Sequence, residues 1–202
     1  MSGTSETEIR RLVASLGSSA GFLGTFDNAF PGFLRRDALQ TAVVNTGPRS
    51  AGGTHWFALA WDPTSYKMFL FDPLGWTDAD LRRMYDYSYG PMVKRSALSS
   101  QGRCVDLRRN TEAVQCTCSG ACGLYAVAFL YCFSRCPPDP YSQPPLRDFT
   151  GVPPALSPSD PAPLHANQRM LYDFLRSHSR YFRKNERAMV SNTKLGLLNT
   201  HK

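Results

Sequence analysis

Long apolar runs are missing from this chain. The longest, residues 121–133, is far short of the roughly 20 residues that cross a bilayer, so no membrane span is expected. A basic-then-apolar leader is also missing; the opening Met1-Ser-Gly-Thr-Ser-Glu6 is polar and acidic. Synthesis in a reducing cytosol is therefore expected, with the six cysteines free, catalytic or metal-binding rather than a disulfide framework. Acidic residues are the minority, 16 against 23 basic, for a net charge of +7. No zinc finger, RNA-recognition signature or long basic helix accompanies that excess. Any nucleic acid would be held through its phosphates without regard to sequence. The basic residues cluster as Arg10-Arg11, Arg35-Arg36, Arg82-Arg83, Lys94-Arg95 and Arg108-Arg109, then more densely as Arg176, Arg180, Arg183, Lys184 and Arg187. Internal repeats are absent. At 202 residues a single domain over 1–202 is expected.

The punctuation of the chain is informative. Ser5-Glu-Thr-Glu8 is a capping box opening an amphipathic helix with Ile9, Leu12, Val13 and Leu16 inward, closed by Gly17. Residues 22–33, rich in glycine and aromatics, read as a packed loop, and residues 37–44 as helical. Residues 56–61 and 66–71 read as strands joined by the turn Asp62-Pro-Thr-Ser65. Thr77 caps a helix over 78–87, and residues 104–107 form a candidate edge strand. Residues 122–133 are apolar on nearly every face and predict a buried central helix. Residues 137–163 hold ten of the fifteen prolines and read as an irregular surface wrap. A last amphipathic helix is expected over 167–182, with Met170, Leu171, Phe174, Leu175, Tyr181 and Phe182 inward. The fold class is α+β, a small mixed or antiparallel sheet packed against a buried central helix and surrounding helices.

Cys122 stands where a polar loop, Gln115-Cys-Thr-Cys-Ser-Gly-Ala-Cys122, enters that central helix. Free N–H groups and the positive dipole end at a helix start stabilise a thiolate. Histidine is scarce: His55, His165, His178 and His201. Of these, His55 follows two glycines and opens a strand, while Asp72 ends the next one. In an antiparallel hairpin those positions are neighbours, so Asp72 can orient the imidazole. Asp62, in the turn at the other end, is the wrong acid. Gln115 can offer its side-chain amide to a developing oxyanion, beside the Cys122 N–H. Thiol, imidazole, carboxylate and amide donor are the parts of a cysteine hydrolase. Cys132 and Cys136 read as buried thiols. Cys116 and Cys118 with Cys122 suggest a metal cluster in principle. The paired Cys-x2-Cys spacing and a nearby histidine are missing, so no metal and no small-molecule cofactor is expected.

The chain resembles the adenovirus endopeptidase family along nearly its full length. The stretches that carry the resemblance are Phe22-Leu-Gly-Thr-Phe-Asp27, Phe30-Pro-Gly-Phe33, Val44-Asn-Thr46, Gly53-Thr-His-Trp56 and Phe71-Asp-Pro-Leu-Gly75. Arg95-Ser-Ala97, Val114-Gln115, Ala121-Cys-Gly-Leu124, Thr150-Gly-Val-Pro153 and Ser179-Arg-Tyr-Phe182 follow in order. By that resemblance His55 is the catalytic histidine, Asp72 the acid, Gln115 the oxyanion glutamine and Cys122 the nucleophile, on a fold whose order is permuted relative to papain. Family members commonly carry Glu at the acid position, and Gln-Gly-Pro-Asn-Ser where this chain has Gln115-Cys-Thr-Cys-Ser119. The resemblance implies a monomeric, autoprocessing late protein of the virion and host nucleus. It would cleave viral precursor proteins near glycine during maturation. Its activators would be viral DNA and a short capsid-derived peptide joined by a disulfide to Cys104. Two alternatives stay open: a ubiquitin-like-protein protease with the same His–acid–Gln–Cys order, and a non-enzymatic basic DNA-binding virion protein.

Overall fold

Residues 3–51, 54–96, 98–99 and 102–195 are described by the structure, a computed structural model. Its centre is a five-stranded sheet whose spatial order is the chain order: β1 (Phe22–Phe26), β2 (Gln40–Asn45), β3 (Trp56–Asp62), β4 (Lys67–Phe71) and β5 (Asp106–Arg109). The outer pairs, β1–β2 and β4–β5, are parallel; the inner pairs are antiparallel. The helices are α1 (Glu6–Ser15), α2 (Asp78–Tyr85), α3 (Gly90–Arg95), α4 (Cys122–Arg135), α5 (Ala162–His178) and α6 (Arg180–Thr193).

Strand alternation builds two cores. Val43, Ala58, Ala60, Phe69 and Phe71 face α4, with α1, α5 and α6 behind it. Ala42, Val44, Phe57, Leu59, Trp61, Met68 and Leu70 face Phe30, Phe33, Leu81 of α2 and Met92 of α3. Every residue of β2 and β3 is buried, as expected of strands covered on both faces. In α4, eleven of 14 residues are buried, which makes it the central helix. Its start is clamped by α1. A Cβ on Gly123 would stand 2.7 Å from the Thr4 Cβ and 3.2 Å from the Ile9 Cδ1, so only glycine admits that approach.

The α1 capping box, its buried stripe and the β3–β4 hairpin lie where the sequence puts them. Other expectations need correction. The 22–33 loop begins as strand β1. Residues 37–44 are not helical: β2 starts at Gln40, because Thr41, Val43 and Val44 are β-branched and fill a slot between β1 and β3. The α2 helix stops at Tyr85, where Asp86 turns left-handed at φ 51°. The edge strand starts at Asp106, leaving Cys104 exposed two residues before it. The last helix is two helices. Ser179 takes an extended backbone, and its hydroxyl accepts the Phe182 N–H at 3.0 Å as the cap of α6. Residues 137–161 are irregular apart from short 3-10 turns at Pro140–Ser142 and Leu146–Asp148. Among the described residues no helix is long and apolar enough to cross a membrane.

Candidate active site

The β3–β4 register sets the first contact. Ala58 faces Phe71, so continuing the ladder puts residue 57 opposite 72 and residue 55 diagonal to it on the same face. The His55 Nε2 lies 2.7 Å from the Asp72 Oδ1, and both side chains are buried. Asp72, one methylene shorter than the family's usual Glu, reaches the ring. It is itself held from several sides. Its Oδ1 accepts the Leu74 N–H at 2.9 Å. Asn110 brackets its backbone, accepting the Asp72 N–H and donating to the Asp72 carbonyl. Gly75, at φ +66°, turns the chain back and donates to the same carbonyl at 2.9 Å. The glycines at 52 and 53, expected to bend the chain before His55, lie outside the described residues. At the base of that loop the Asn45 Oδ1 accepts from both the Gly47 and Thr54 N–H groups.

Two aromatic rings fix the imidazole plane, a contribution the sequence did not announce. The Tyr85 ring stacks on His55 at 5.6 Å and 17°, and Trp76 approaches at 6.1 Å. Both come from the α2 side of the sheet, and no spacing rule ties them to His55. Burial, with smaller contributions from Cys122 and Asp72, pushes the Tyr85 hydroxyl up to about 12, so it stays neutral.

Cys122 is the first residue of α4, and no side chain caps that helix. Its Sγ accepts the Trp56 N–H at 3.4 Å. With Nε2 on Asp72, the Nδ1 of His55 is the ring nitrogen left to act on Cys122, whose side chain helps to hold the imidazolium. Burial alone pulls the His55 imidazolium down. The Asp72 charge and hydrogen bond, and then Cys122, outweigh it and carry His55 up to about 10. Imidazole, carboxylate and thiol thus form one connected unit at the sheet end.

Gln115 is buried beside this unit. Its backbone N–H and that of Val114 donate to the Pro73 carbonyl, which ties the loop to the turn that carries Asp72. Its Nε2 donates one proton to the Ser119 carbonyl at 2.8 Å and has a second to give. A cleft of about 550 Å³ brings Gln115, His55, Trp56, Trp76, Tyr85 and Cys122 to one surface, flanked by the Glu6–Arg49 ion pair.

The remaining candidates separate. Asp62 caps its own turn through the Thr64 and Ser65 N–H groups. His178 ends α5, bonded to the Phe174 carbonyl and stacked on the Phe174 ring. His201 lies outside the described residues. Cys132 is buried, which pushes its thiol up to about 12. Two expectations about Cys116 and Cys118 need revision. They are joined to each other rather than free, their Cα atoms 5.1 Å apart in a tight turn. A histidine does lie nearby: His165, 47 residues on, is brought by α5 to 3.5 Å from the Cys118 Sγ. Sequence spacing could not reveal that approach.

Comparison with known proteins agrees with this arrangement. A family described as adenovirus endoprotease matches residues 22–197. Proteins named "Protease" from bovine adenovirus 4 and snake adenovirus serotype 1 are 54% and 57% identical over 201 residues, covering all of both chains. One of the same name from human adenovirus A serotype 12 is 44% identical over 187 residues, 91% of each chain. With similarity of that depth running from end to end, this chain belongs to the adenovirus endoprotease family and is a viral protease.

Proposed function

We propose that the chain is a cysteine endopeptidase that cleaves viral precursor proteins during virion maturation. The observation that carries this reading is the buried His55–Asp72 pair sharing one cleft with a thiol at the open start of α4, a thiol that accepts the N–H of Trp56, the residue after His55. With His55 raised to about 10, the ring is an imidazolium at neutral pH and holds a proton for the leaving amine.

A substrate chain lies along the cleft, and the Cys122 Sγ attacks the scissile carbonyl carbon. The oxygen gains the charge and meets the Cys122 N–H and the free amide proton of Gln115. As the C–N bond breaks, the Nδ1 proton of His55 passes to the leaving amine, leaving a thioester on Cys122. Neutral His55 then takes a proton from water, whose oxygen attacks the thioester. The acid product departs, the Cys122 sulfur leaves the carbonyl carbon, and His55 is again protonated. Asp72 keeps its proton partner throughout and holds the ring in place. Two features support regulation by viral ligands: the net charge of +7 for DNA, and an exposed Cys104 beside edge strand β5 for a disulfide-linked capsid-derived peptide. The enzyme would act as a monomer in the virion and host nucleus, with no metal or small-molecule cofactor in the catalytic step.

A thiol-directed peptide probe tests the assignment. It should label Cys122 alone in the wild-type chain, and Cys122→Ala should lose peptide turnover while keeping its far-UV spectrum. Appreciable cleavage by Cys122→Ala would reject the mechanism.

A further inference from the structure

The loop that carries Gln115 has two faces. Gln115, Thr117 and Ser119 line the cleft. Cys116 and Cys118 turn the other way, into a small apolar cluster with Val152 and Leu164 against which Leu195 packs. Both cysteines are buried, at 1% and 6% exposure. His165 reaches the same cluster from α5. The two sulfurs and one imidazole nitrogen all lie within 4.8 Å of one another. None of the three takes part in the peptidase chemistry.

We propose that Cys116, Cys118 and His165, once the Cys116–Cys118 bond is reduced, bind a thiophilic divalent ion of the zinc class. Zinc is held tetrahedrally, with Zn–S of about 2.3 Å and Zn–N of about 2.0–2.1 Å, which places ligand atoms roughly 3.5–3.8 Å apart. The Cys118 Sγ and His165 Nε2 already stand at 3.5 Å. The two sulfurs must part, and reduction lets them. Two thiolates and one imidazole are a recognised three-ligand set, leaving the fourth position to water. The Cys118 N–H donates to the Cys116 Sγ at 3.2 Å, the kind of contact that orients a metal-bound thiolate. Apolar neighbours keep water from competing at the sulfurs.

The chemistry balances with a small dithiol as reductant. Two electrons and two protons pass from the dithiol to Cys116–Cys118, leaving two protein thiols and the cyclic disulfide of the reductant. The ion then displaces both thiol protons to solvent, so affinity rises with pH. His165 enters neutral and gives the lone pair of Nε2. Bonded to each other, the sulfurs cannot hold the ion, so disulfide and metal exclude one another. The ion would join the loop at 115–119 to α5. Because the Gln115 amide is tied to the Ser119 carbonyl within that loop, occupancy would stiffen one wall of the cleft.

Cobalt(II) is the probe, because tetrahedral cobalt–thiolate absorption reports both ligand type and geometry. The full chain carrying Cys122→Ala removes the catalytic thiol as a competing ligand and keeps the readout independent of activity. It is reduced with a dithiol, freed of it under argon and titrated. One equivalent of cobalt should give a thiolate charge-transfer band that zinc abolishes. The band should be absent from the oxidised protein, lost in Cys116→Ser and Cys118→Ser, and unchanged in Cys104→Ser. His165→Gln, at a half-buried position outside the main cores, should weaken binding and shift the visible bands even if a cysteine variant fails to fold. The proposal is overturned if reduced protein gives no thiolate band, if the band survives Cys118→Ser, or if His165→Gln leaves affinity and spectrum unchanged.

Discussion

His55 is a buried cation whose charge depends on one carboxylate. Remove that carboxylate with Asp72→Asn and burial, the largest influence on the ring, is left with only Cys122 against it. The ring should then titrate well below its wild-type midpoint of about 10, and an NMR titration of its Hε1 proton would show the drop. Activity should fall about 10²- to 10⁴-fold, the usual span for a disturbed general acid–base. His55→Ala should cost more, since the unassisted ring retains some function; equal losses would mean that Asp72 does more than orient. Stability should follow the same group. A raised folded value means that protonated His55 stabilises the fold fully below the unfolded value near 6.5. That contribution declines as pH rises from there through about 10. In urea titrations the advantage of wild type over Asp72→Asn should therefore be greatest near pH 6 and shrink toward pH 10. An advantage that grows with pH would contradict the sign. Peptidase activity should also fall above about pH 10, as the imidazolium loses the proton it gives to the leaving amine.

Elements differ in how openly the sequence declares them. The β3–β4 hairpin was legible because its turn, its strands and its His–Asp ends are local, and α1 because its capping box is local. Strand β2 was not, because its character comes from β1 and β3 on either side of it. The α5–α6 break was hidden for a similar reason: Ser179 interrupts the helix where its hydroxyl meets Ser15 of α1, 164 residues away. Tyr85, Trp76 and His165 reach their partners only through packing between elements. One packing contact has a direct consequence for the site. The Thr4 carbonyl accepts the Trp56 Nε1–H at 2.9 Å, and Thr4 also presses on Gly123 beside the nucleophile. Gly123→Ala should destabilise by about 1–3 kcal/mol by overpacking, against a helix-propensity gain of about 1 kcal/mol. Denaturant unfolding measures it, and a more stable variant would show that α1 yields. If a capsid-derived peptide activates the enzyme as proposed, it would add along β5, an edge strand among the described residues, with Cys104 beside it to lock the addition. Cys104→Ser should weaken activation by a cysteine-bearing peptide and spare basal turnover. Mass spectrometry of the oxidised mixture should place the adduct on Cys104; an adduct on Cys136 with Cys104 free would refute the assignment.

Over the whole molecule the net charge of +7 already counts every acid, so pairing decides only where the excess lies. Arg35, Arg49, Arg82, Arg83, Arg108, Arg147 and Arg176 each stand in an ion pair with an Asp or Glu. Among the dipeptide clusters, Arg82-Arg83 is paired at both positions, and Arg35-Arg36 and Arg108-Arg109 at one each. Arg176 of the dense stretch is paired in this way, but the part on α6 behaves differently. Arg180, Arg183, Lys184 and Arg187 are all exposed, and their spacing puts them on one face of α6 while Phe182 and Met189 are buried in the core. A straight row of cations along a rigid helix can meet successive phosphates of a duplex without reading its bases. If these four carry most of the contact, log affinity against log salt should slope by about −3 to −4, near 0.9 per phosphate neutralised. Replacing all four by Gln should flatten that slope toward zero, lower affinity equally for unrelated duplexes, and leave Cys122 labelling intact. A slope unchanged by the fourfold substitution would move the nucleic-acid surface elsewhere. Strong preference for one duplex would mean that base edges are read, which a phosphate-tracking helix face cannot do.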